Sequence, residues 1–349
     1  MVAQIAHQMR QTVVMGIDGG GTKTEGWLVD GQGQLLASAT VGGSNLNGGE
    51  VERVQLDLEG LLRQLKSQSP QVFMALSHVF GGFAGATQGD VTLRLTAILE
   101  KQLPHQVKIY VGHDAVNALY SGTKGEPGVV HIAGTGSVAY GINEQGHEQK
   151  IGGWGYILGD PGSGFAIGKA ACQSILATHE GSGPQTELTG LILNDIGLNT
   201  VKELIPYLYE TGQTRTRVSR LAKQVFHAAE AGDRVAELIL EQAGLDAAQE
   251  IKTVINMLYV QGPHDGQKDV TRPLVPVVLA GGVYTHAKWL LPSLKKGLSD
   301  LPFDLKFITP SLPPVAGAVY AAFRKANKPV PEITEITEQR SIKHAKKES

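Results

Sequence analysis

Apolar, largely β-branched residues crowd positions 13–17 (Val13, Val14, Met15, Ile17), the pattern of a buried strand. Residues 25–29 read as a strand returning beside it, and residues 35–41 as a third. Between the first two stand Gly19, Gly20 and Gly21, expected to make a turn that only glycine follows freely. Asp30 and Gly31 open the next turn with a hairpin dipeptide. Over residues 50–68 the spacing becomes helical, with Val51, Val54, Leu58, Leu61, Leu62 and Leu65 on one stripe. Residues 77–80 predict the end of a strand leading into a glycine turn at 81–85, and residues 88–103 a helix. Residues 107–114 predict a strand that ends in a carboxylate, Asp114, with a helix starting at Ala115.

The opening pattern then recurs. Residues 128–146 are again an apolar strand, a turn of Gly134, Thr135, Gly136 and Ser137, a returning strand over 138–142 and a polar turn containing Gly146. Dense glycine over 149–164 precedes a helix predicted for 162–177. Helices are expected over 186–209 and 215–260, the best patterned being 233–260. An apolar strand at 273–280 meets Gly281 and Gly282, which open a helix over 286–298. A strand at 303–308 and a small-residue helix at 313–323 close the pattern.

Each glycine hairpin could be a plain turn. Neither fits the two helix-led phosphate motifs. Gly16 and Gly21 have Walker spacing, but Thr22 intervenes before Lys23 and Thr24, and a strand follows where a helix is required. A dinucleotide fingerprint also needs a helix there, and residues 138–142 alternate like a strand. Two such hairpins, one near the start of each half, imply a duplicated α/β domain with a phosphate held between the halves. A glycine turn brings backbone N–H groups close to an anion, and Thr22 and Lys23 add a hydroxyl and a cation. The polar, glycine-rich stretch 121–127 marks the boundary, giving domains over 12–121 and 122–312, the first completed by the helix at 313–325. Residues 1–11 and 327–349 read as tails.

Composition narrows the function classes. Of 349 residues 44 are glycine, about 13% against a usual value of roughly 7%, and much of the excess lies in the motif turns. Hydrophobic content of 42% and charged content of 18% suit a globular protein with a sizeable core. A formal net charge of −2 implies no nucleic-acid or anionic-membrane partner. The one cysteine, Cys172, excludes an intramolecular disulfide or a cysteine-ligated cluster within the chain, and reads as a buried small hydrophobe. No run of 18 apolar residues and no signal-peptide core occur, so cytoplasm is the expected location.

Candidate chemistry sits at the strand ends. Asp114 reads equally as a helix N-cap or as a general base. Asp160, before Pro161, reads as a cap or as a ligand contact. His113 reads as an ordinary strand-end residue, with no second His or Cys at metal spacing. Asn45 lies in a polar Gly/Asn loop whose simplest reading is a turn.

Five ordered motifs carry a resemblance across 13–323: Asp18 to Thr24, Gly112 to Ala115, Ala133 to Ser137, Gly152 to Gly155 with Gly159 to Ser163, and Leu279 to Val283. The chain resembles the N-acetylglucosamine kinase and BadF/BadG/BcrA/BcrD ATPase family of the actin/hexokinase/Hsp70 superfamily. The resemblance implies duplicated ribonuclease-H-like (actin-like ATPase) domains with an inter-domain cleft, ATP and Mg²⁺ as cofactors, and an amino sugar as substrate, with a homodimer possible. It implies that Gly20, Gly21, Thr22, Lys23, Thr135 and Gly136 hold phosphates, that Gly281 and Gly282 lie against the adenosine, and that Asp18 holds the metal. It implies sugar contacts at Asn45, Gly153, Trp154, Gly155 and Asp160, with Asp114 as the base that deprotonates a sugar 6-hydroxyl. Asn47 stands where relatives often carry an aromatic, and Pro161 where they often carry Glu. N-acetylglucosamine is the foremost substrate expected, with glucosamine, N-acetylmuramic acid or a sugar-independent ATPase as alternatives. ATPases of that last kind hold an iron–sulfur cluster on cysteines, which Cys172 alone does not match.

Overall fold

The computed structural model describes residues 12–44, 51–86, 89–210, 212–260 and 272–333. The expected leader at 1–11 and the end of the expected tail at 334–349 lie outside them. Among the described residues the chain forms two compact units, one running to Glu126 and resuming at Pro310, the other Pro127–Thr309.

In the first unit, β1 (Val13–Gly19) pairs antiparallel with β2 (Lys23–Asp30), and β2 with β3 (Leu35–Gly42). Helix α1 (Val51–Gln68) buries Val54, Leu58, Leu61, Leu62 and Leu65 of the stripe expected from spacing, whereas Val51, at its first position, is exposed. Strand β4 (Leu76–Phe83) pairs parallel with β1, and β5 (Lys108–His113) with β4. The strand order is therefore β3-β2-β1-β4-β5. Helix α2 (Val91–Gln102) connects the last two, and α3 (Asp114–Thr123) follows β5 without a loop. The glycine turn expected at 81–85 is largely strand: Gly81 and Gly82 pair with Val111 and Gly112 inside the ladder.

The second unit repeats this plan. Strands β6 (Gly128–Ala133), β7 (Ser137–Ile142) and β8 (Glu148–Gly152) form an antiparallel meander. Strand β9 (Leu274–Ala280) pairs parallel with β6, and β10 (Asp304–Ile308) with β9. The order β8-β7-β6-β9-β10 matches the first sheet position for position. Even the turns correspond. Asp30 Oδ1 accepts from Gln32 N and Gln34 N, both at 2.9 Å, with Gly33 at φ +86. Asn143 Oδ1 accepts from Gln145 N at 3.1 Å and His147 N at 2.9 Å, with Gly146 at φ +80. An Asx side chain takes the place of a backbone acceptor in both.

Helices α4 (Gly164–His179), α5 (Leu188–Ile196), α6 (Thr214–Glu230) and α7 (Arg234–Ile255) form most of the core of this unit, with α7 lying on the sheet and Cys172 buried among them. Burial raises the Cys172 thiol to about 11. The helix expected over 233–260 is α7, capped by the Asp233 side chain, and it ends in a π turn, Asn256–Val260. The helix expected over 286–298 is instead a 3₁₀ segment, Gly282–Trp289, with non-helical backbone at His286, followed by α8 (Leu291–Gly297). Strand β8 was not foreseen, because glycine at 152 and 153 masks its alternation.

The chain returns to the first unit as α9 (Pro314–Lys325), which lies on α3 and β1. Glycines permit the approach: a Cβ on Gly317 would overlap Asn117 O, and one on Gly16 would overlap Val319 N. Residues 327–333, expected as free tail, pack on this unit, with Ile333 buried and Glu332 paired to Lys124 at 2.9 Å.

Candidate active site

The first unit gathers its polar groups where β1, β4 and β5 end. Asp18 pairs with Gly82 on β4, and Gly82 with Gly112 on β5, so Asp18 and the start of α3 share one end of the sheet. Burial pushes the Asp18 carboxyl up to about 6, and the nearby Asp114 and Glu25 charges add to the rise. A hydrogen bond from Asn117 and the Lys23 charge work against it. Asn117 Nδ2 donates to Asp18 Oδ1 at 2.8 Å and to Gly82 O at 3.1 Å. Asn117 is fully buried, and its Oδ1 has no hydrogen-bond partner among the described residues. A Cβ on Gly82 would overlap the Asn117 amide, which is why glycine stands at that strand end.

Asp114 is the first residue of α3 and does not cap it. The cap is His113, whose Nδ1 lies 3.0 Å from Ala115 N and 2.7 Å from Asp114 Oδ1. Without a proton that nitrogen accepts from the Ala115 amide; with one it donates to the carboxylate. His113 is therefore a direct neighbour of the candidate base, which its strand-end position alone did not reveal. The Asp114 side chain retains 33% exposure, enough to meet a substrate hydroxyl.

The first hairpin turn is tighter than expected. Gly20 N donates to Lys23 O at 2.9 Å, leaving Gly21 and Thr22 exposed at its tip. Neither Gly19, Gly20 nor Gly21 has positive φ. Gly19 is required by space instead, because a Cβ there would overlap the Phe83 ring. Lys23 Nζ lies 3.1 Å from Glu25 Oε2, and Trp27 Nε1 donates to Glu25 Oε1 at 3.0 Å. Asn45 and Asn47 lie outside the described residues.

In the second unit the corresponding turn is closed by Gly134 N donating to Gly136 O at 2.9 Å. Helix α4 starts against it: Gly164 N donates to Gly134 O at 2.8 Å and Phe165 N to Thr135 O at 3.3 Å. Ser163 caps α4 through its hydroxyl, so the capping role open to Asp160 falls to Ser163, and the helix begins two residues later than expected. Asp160 is buried, with φ +59 in the left-handed region, and a Cβ on Gly136 would overlap its Oδ2. The hairpin and Asp160 are thus in contact. Gly153 and Gly155 both have positive φ, and the Trp154 ring between them is 79% exposed.

Beside this turn opens a cavity of about 700 Å³, lined by Thr135, Gly282, Arg220, Lys223, Phe226 and His286, among others. Gly281, at φ +98, packs on Ala133 so closely that a Cβ would overlap its carbonyl. The Phe226 and His286 rings stack, centroids 4.6 Å apart and planes 19° from parallel. A cavity with flat rings, a glycine floor and two cations beside a glycine turn fits a nucleotide. Arg220, Lys223 and Phe226 follow one another at spacing three on α6, a signal present in the sequence but shared with any solvated helix face.

Among the described residues no group of three or more His, Cys, Asp or Glu is placed to hold a metal, and no helix is long and apolar enough to cross a membrane.

The model of the BadF/BadG/BcrA/BcrD ATPase family matches residues 15–323. The N-acetylmuramic acid/N-acetylglucosamine kinase of Clostridium acetobutylicum is 31% identical, covering 88% of this chain and 97% of its own length. The N-acetyl-D-glucosamine kinase of Dictyostelium discoideum is 29% identical, covering 90% and 98%. Among solved structures, a candidate N-acetylglucosamine kinase from Chromobacterium violaceum superposes with a TM-score of 0.64 at 25% identity, covering 88% of this chain and 98% of its own.

Proposed function

Because the chain belongs to the BadF/BadG/BcrA/BcrD ATPase family, with amino-sugar kinases as relatives along nearly its whole length, we propose that it transfers the γ-phosphoryl group of ATP to the 6-hydroxyl of an amino sugar, N-acetylglucosamine first. The observation that carries this reading is the pair of carboxylates at one end of the first sheet. Asp18 is half-buried with a raised pKa, and Asp114 is accessible beside His113. Phosphoryl transfer asks the protein for positioning, charge stabilisation and one proton acceptor. Asp114 accepts the sugar hydroxyl proton, the oxygen attacks the γ-phosphorus, and the bond to the β,γ-bridging oxygen breaks to release ADP.

Gly20, Gly21, Thr22, Lys23, Thr135, Gly136, Arg220 and Lys223 are assigned to the phosphates. Gly281, Gly282, Phe226 and His286 take the adenosine, whose flat base suits the stacked rings. Asp160, Gly153, Trp154, Gly155 and Asn45 are assigned to the sugar. Mg²⁺ would be held by Asp18 and would neutralise charge on the phosphates. A single carboxylate suffices, since this ion keeps most of its water and takes ligands from the nucleotide.

The test is ATP consumption by purified protein with Mg²⁺ against N-acetylglucosamine, N-acetylmuramic acid, glucosamine, N-acetylmannosamine and glucose. Sugar-stimulated ADP release is expected. In Asp114→Asn, kcat should fall about 10²- to 10⁴-fold, the range for removing a general base, while KM for ATP stays near the wild-type value. ADP release indifferent to every sugar would overturn the kinase reading in favour of a sugar-independent ATPase.

A further inference from the structure

Three polar side chains of the second unit lie out of solvent and take no part in the chemistry assigned above. They are Tyr284 in the 3₁₀ segment after Gly281, His131 on β6 and Glu250 on α7. His131 Nδ1 lies 2.6 Å from the Tyr284 hydroxyl, and its Nε2 lies 3.0 Å from Glu250 Oε2. One proton arrangement satisfies both contacts: Tyr284 donates its O–H to Nδ1, and Nε2–H donates to the carboxylate. Burial, reinforced by the Glu250 charge, raises the Tyr284 pKa and keeps that donor protonated. The Tyr284 ring meets the His131 ring edge-on, 5.7 Å between centroids and 82° between planes.

The ends of this line are placed with consequence. Tyr284 N donates to Gly281 O at 3.1 Å, at the turn that packs on Ala133. His131 stands three residues before Gly134 on the strand that feeds the second glycine hairpin. Glu250 abuts Gly152 so closely that a Cβ there would overlap its Oε1, and Gly152 is the last residue of β8 before Gly153, Trp154 and Gly155. One buried hydrogen-bonded line therefore reaches the foot of the adenosine turn, the phosphate hairpin and the sugar segment.

We propose that Tyr284, His131 and Glu250 form a positioning network that sets the spacing of these three segments, so that it governs ligand affinity without touching a reacting atom. The inference rests on the function proposed above. Apolar residues could hold the same strands together, but buried hydrogen bonds have fixed lengths and directions, and losing one partner strands the next. A shift of a few tenths of an ångström in the adenosine turn would then be felt in binding.

The test uses full-length Tyr284→Phe, Glu250→Leu and Glu250→Gln, with kcat, KM for ATP and sugar, thermal midpoint and the Kd of a fluorescent N-methylanthraniloyl-ATP. Tyr284→Phe should raise KM and Kd for nucleotide about five- to tenfold, the loss of roughly one hydrogen bond, with KM for sugar little changed. Glu250→Leu should raise both KM values. Glu250→Gln, which keeps an acceptor for Nε2–H, should restore both to within about twofold of wild type. Saturating kcat should stay within about threefold throughout, since no reacting group is altered. Wild-type KM and Kd in folded Tyr284→Phe and Glu250→Leu would overturn the proposal, as would a loss confined to thermal midpoint and kcat. Should wild-type protein turn over no sugar, the functional reading fails by itself, and the Kd of the fluorescent nucleotide still decides the role of Tyr284.

Discussion

Asn117 donates its side-chain amide to the Asp18 carboxylate at 2.8 Å, across a separation of 99 positions in the chain. This hydrogen bond favours the ionised form and opposes the burial that holds the Asp18 pKa near 6. Removing it in Asn117→Ala should raise that pKa further. Activity at neutral pH should then fall, and the acid limb of the kcat/KM profile should move above pH 6 with recovery at higher pH. An acid limb left in place would show that Asp18 does not titrate in the working range.

Asp18→Asn should trade activity for stability. A carboxyl raised from 3.8 to about 6 on folding binds its proton more tightly in the native state. Stability therefore falls as pH rises from about 4 to 6, and the full penalty, on the order of 3 kcal/mol, persists above that. The neutral amide escapes it. Without nucleotide or metal, Asp18→Asn should unfold at higher temperature than wild type at pH 7–8, the gain should vanish below about pH 4, and sugar phosphorylation should be lost. Equal melting temperatures at pH 8 would argue against a desolvated, ionised Asp18.

Gly136→Ala and Gly134→Ala form a matched pair within one turn. Neither glycine has positive φ, so backbone strain is not at issue. A methyl at 136 would drive into the Asp160 carboxylate, whereas a methyl at 134 meets nothing within 4 Å. Gly136→Ala should raise KM for the sugar at least about tenfold by displacing Asp160, and Gly134→Ala should resemble wild type. Steady-state kinetics on both variants separates a steric effect on Asp160 from a general stiffening of the turn.

Neutralising the cations of the α6 face tests the nucleotide pocket. Lys223→Met and Arg220→Met should each raise KM for ATP roughly tenfold or more, the loss of a charge-assisted hydrogen bond to phosphate. KM for sugar should hold. If both variants keep the wild-type KM for ATP, the triphosphate lies away from the 700 Å³ cavity.

Much of the strand plan was legible because Val13, Val14 and Ile17, and later Val129 and Val130, sit in short buried runs bounded by turn formers. The duplication was legible for the same reason. What stayed hidden depends on tertiary neighbours. Gly19 looks like a conformational requirement and is a steric one set by Phe83, distant in sequence. Gly81 and Gly82 suggest a turn and are strand; a side chain at 81 would overlap the Phe83 ring and one at 82 the Asn117 amide. Asn117 itself follows Asp114 at helical spacing, yet nothing local shows that its amide meets Asp18. His131 passed unmarked in an apolar strand, since its partners come from positions 250 and 284. Asp114 and Asp160 each kept a capping alternative until His113 and Ser163 proved to be the caps.

The burial of Cys172 has a practical side. With its thiol held in the core and its pKa near 11, the native chain offers maleimide dyes no competing target at neutral pH. A cysteine placed at an exposed site such as Thr22 would be labelled alone, and a second at Gln145 would complete a fluorescence-transfer pair without any prior removal of native sulfur. Such a pair would report the distance between the two units, sugar by sugar and nucleotide by nucleotide.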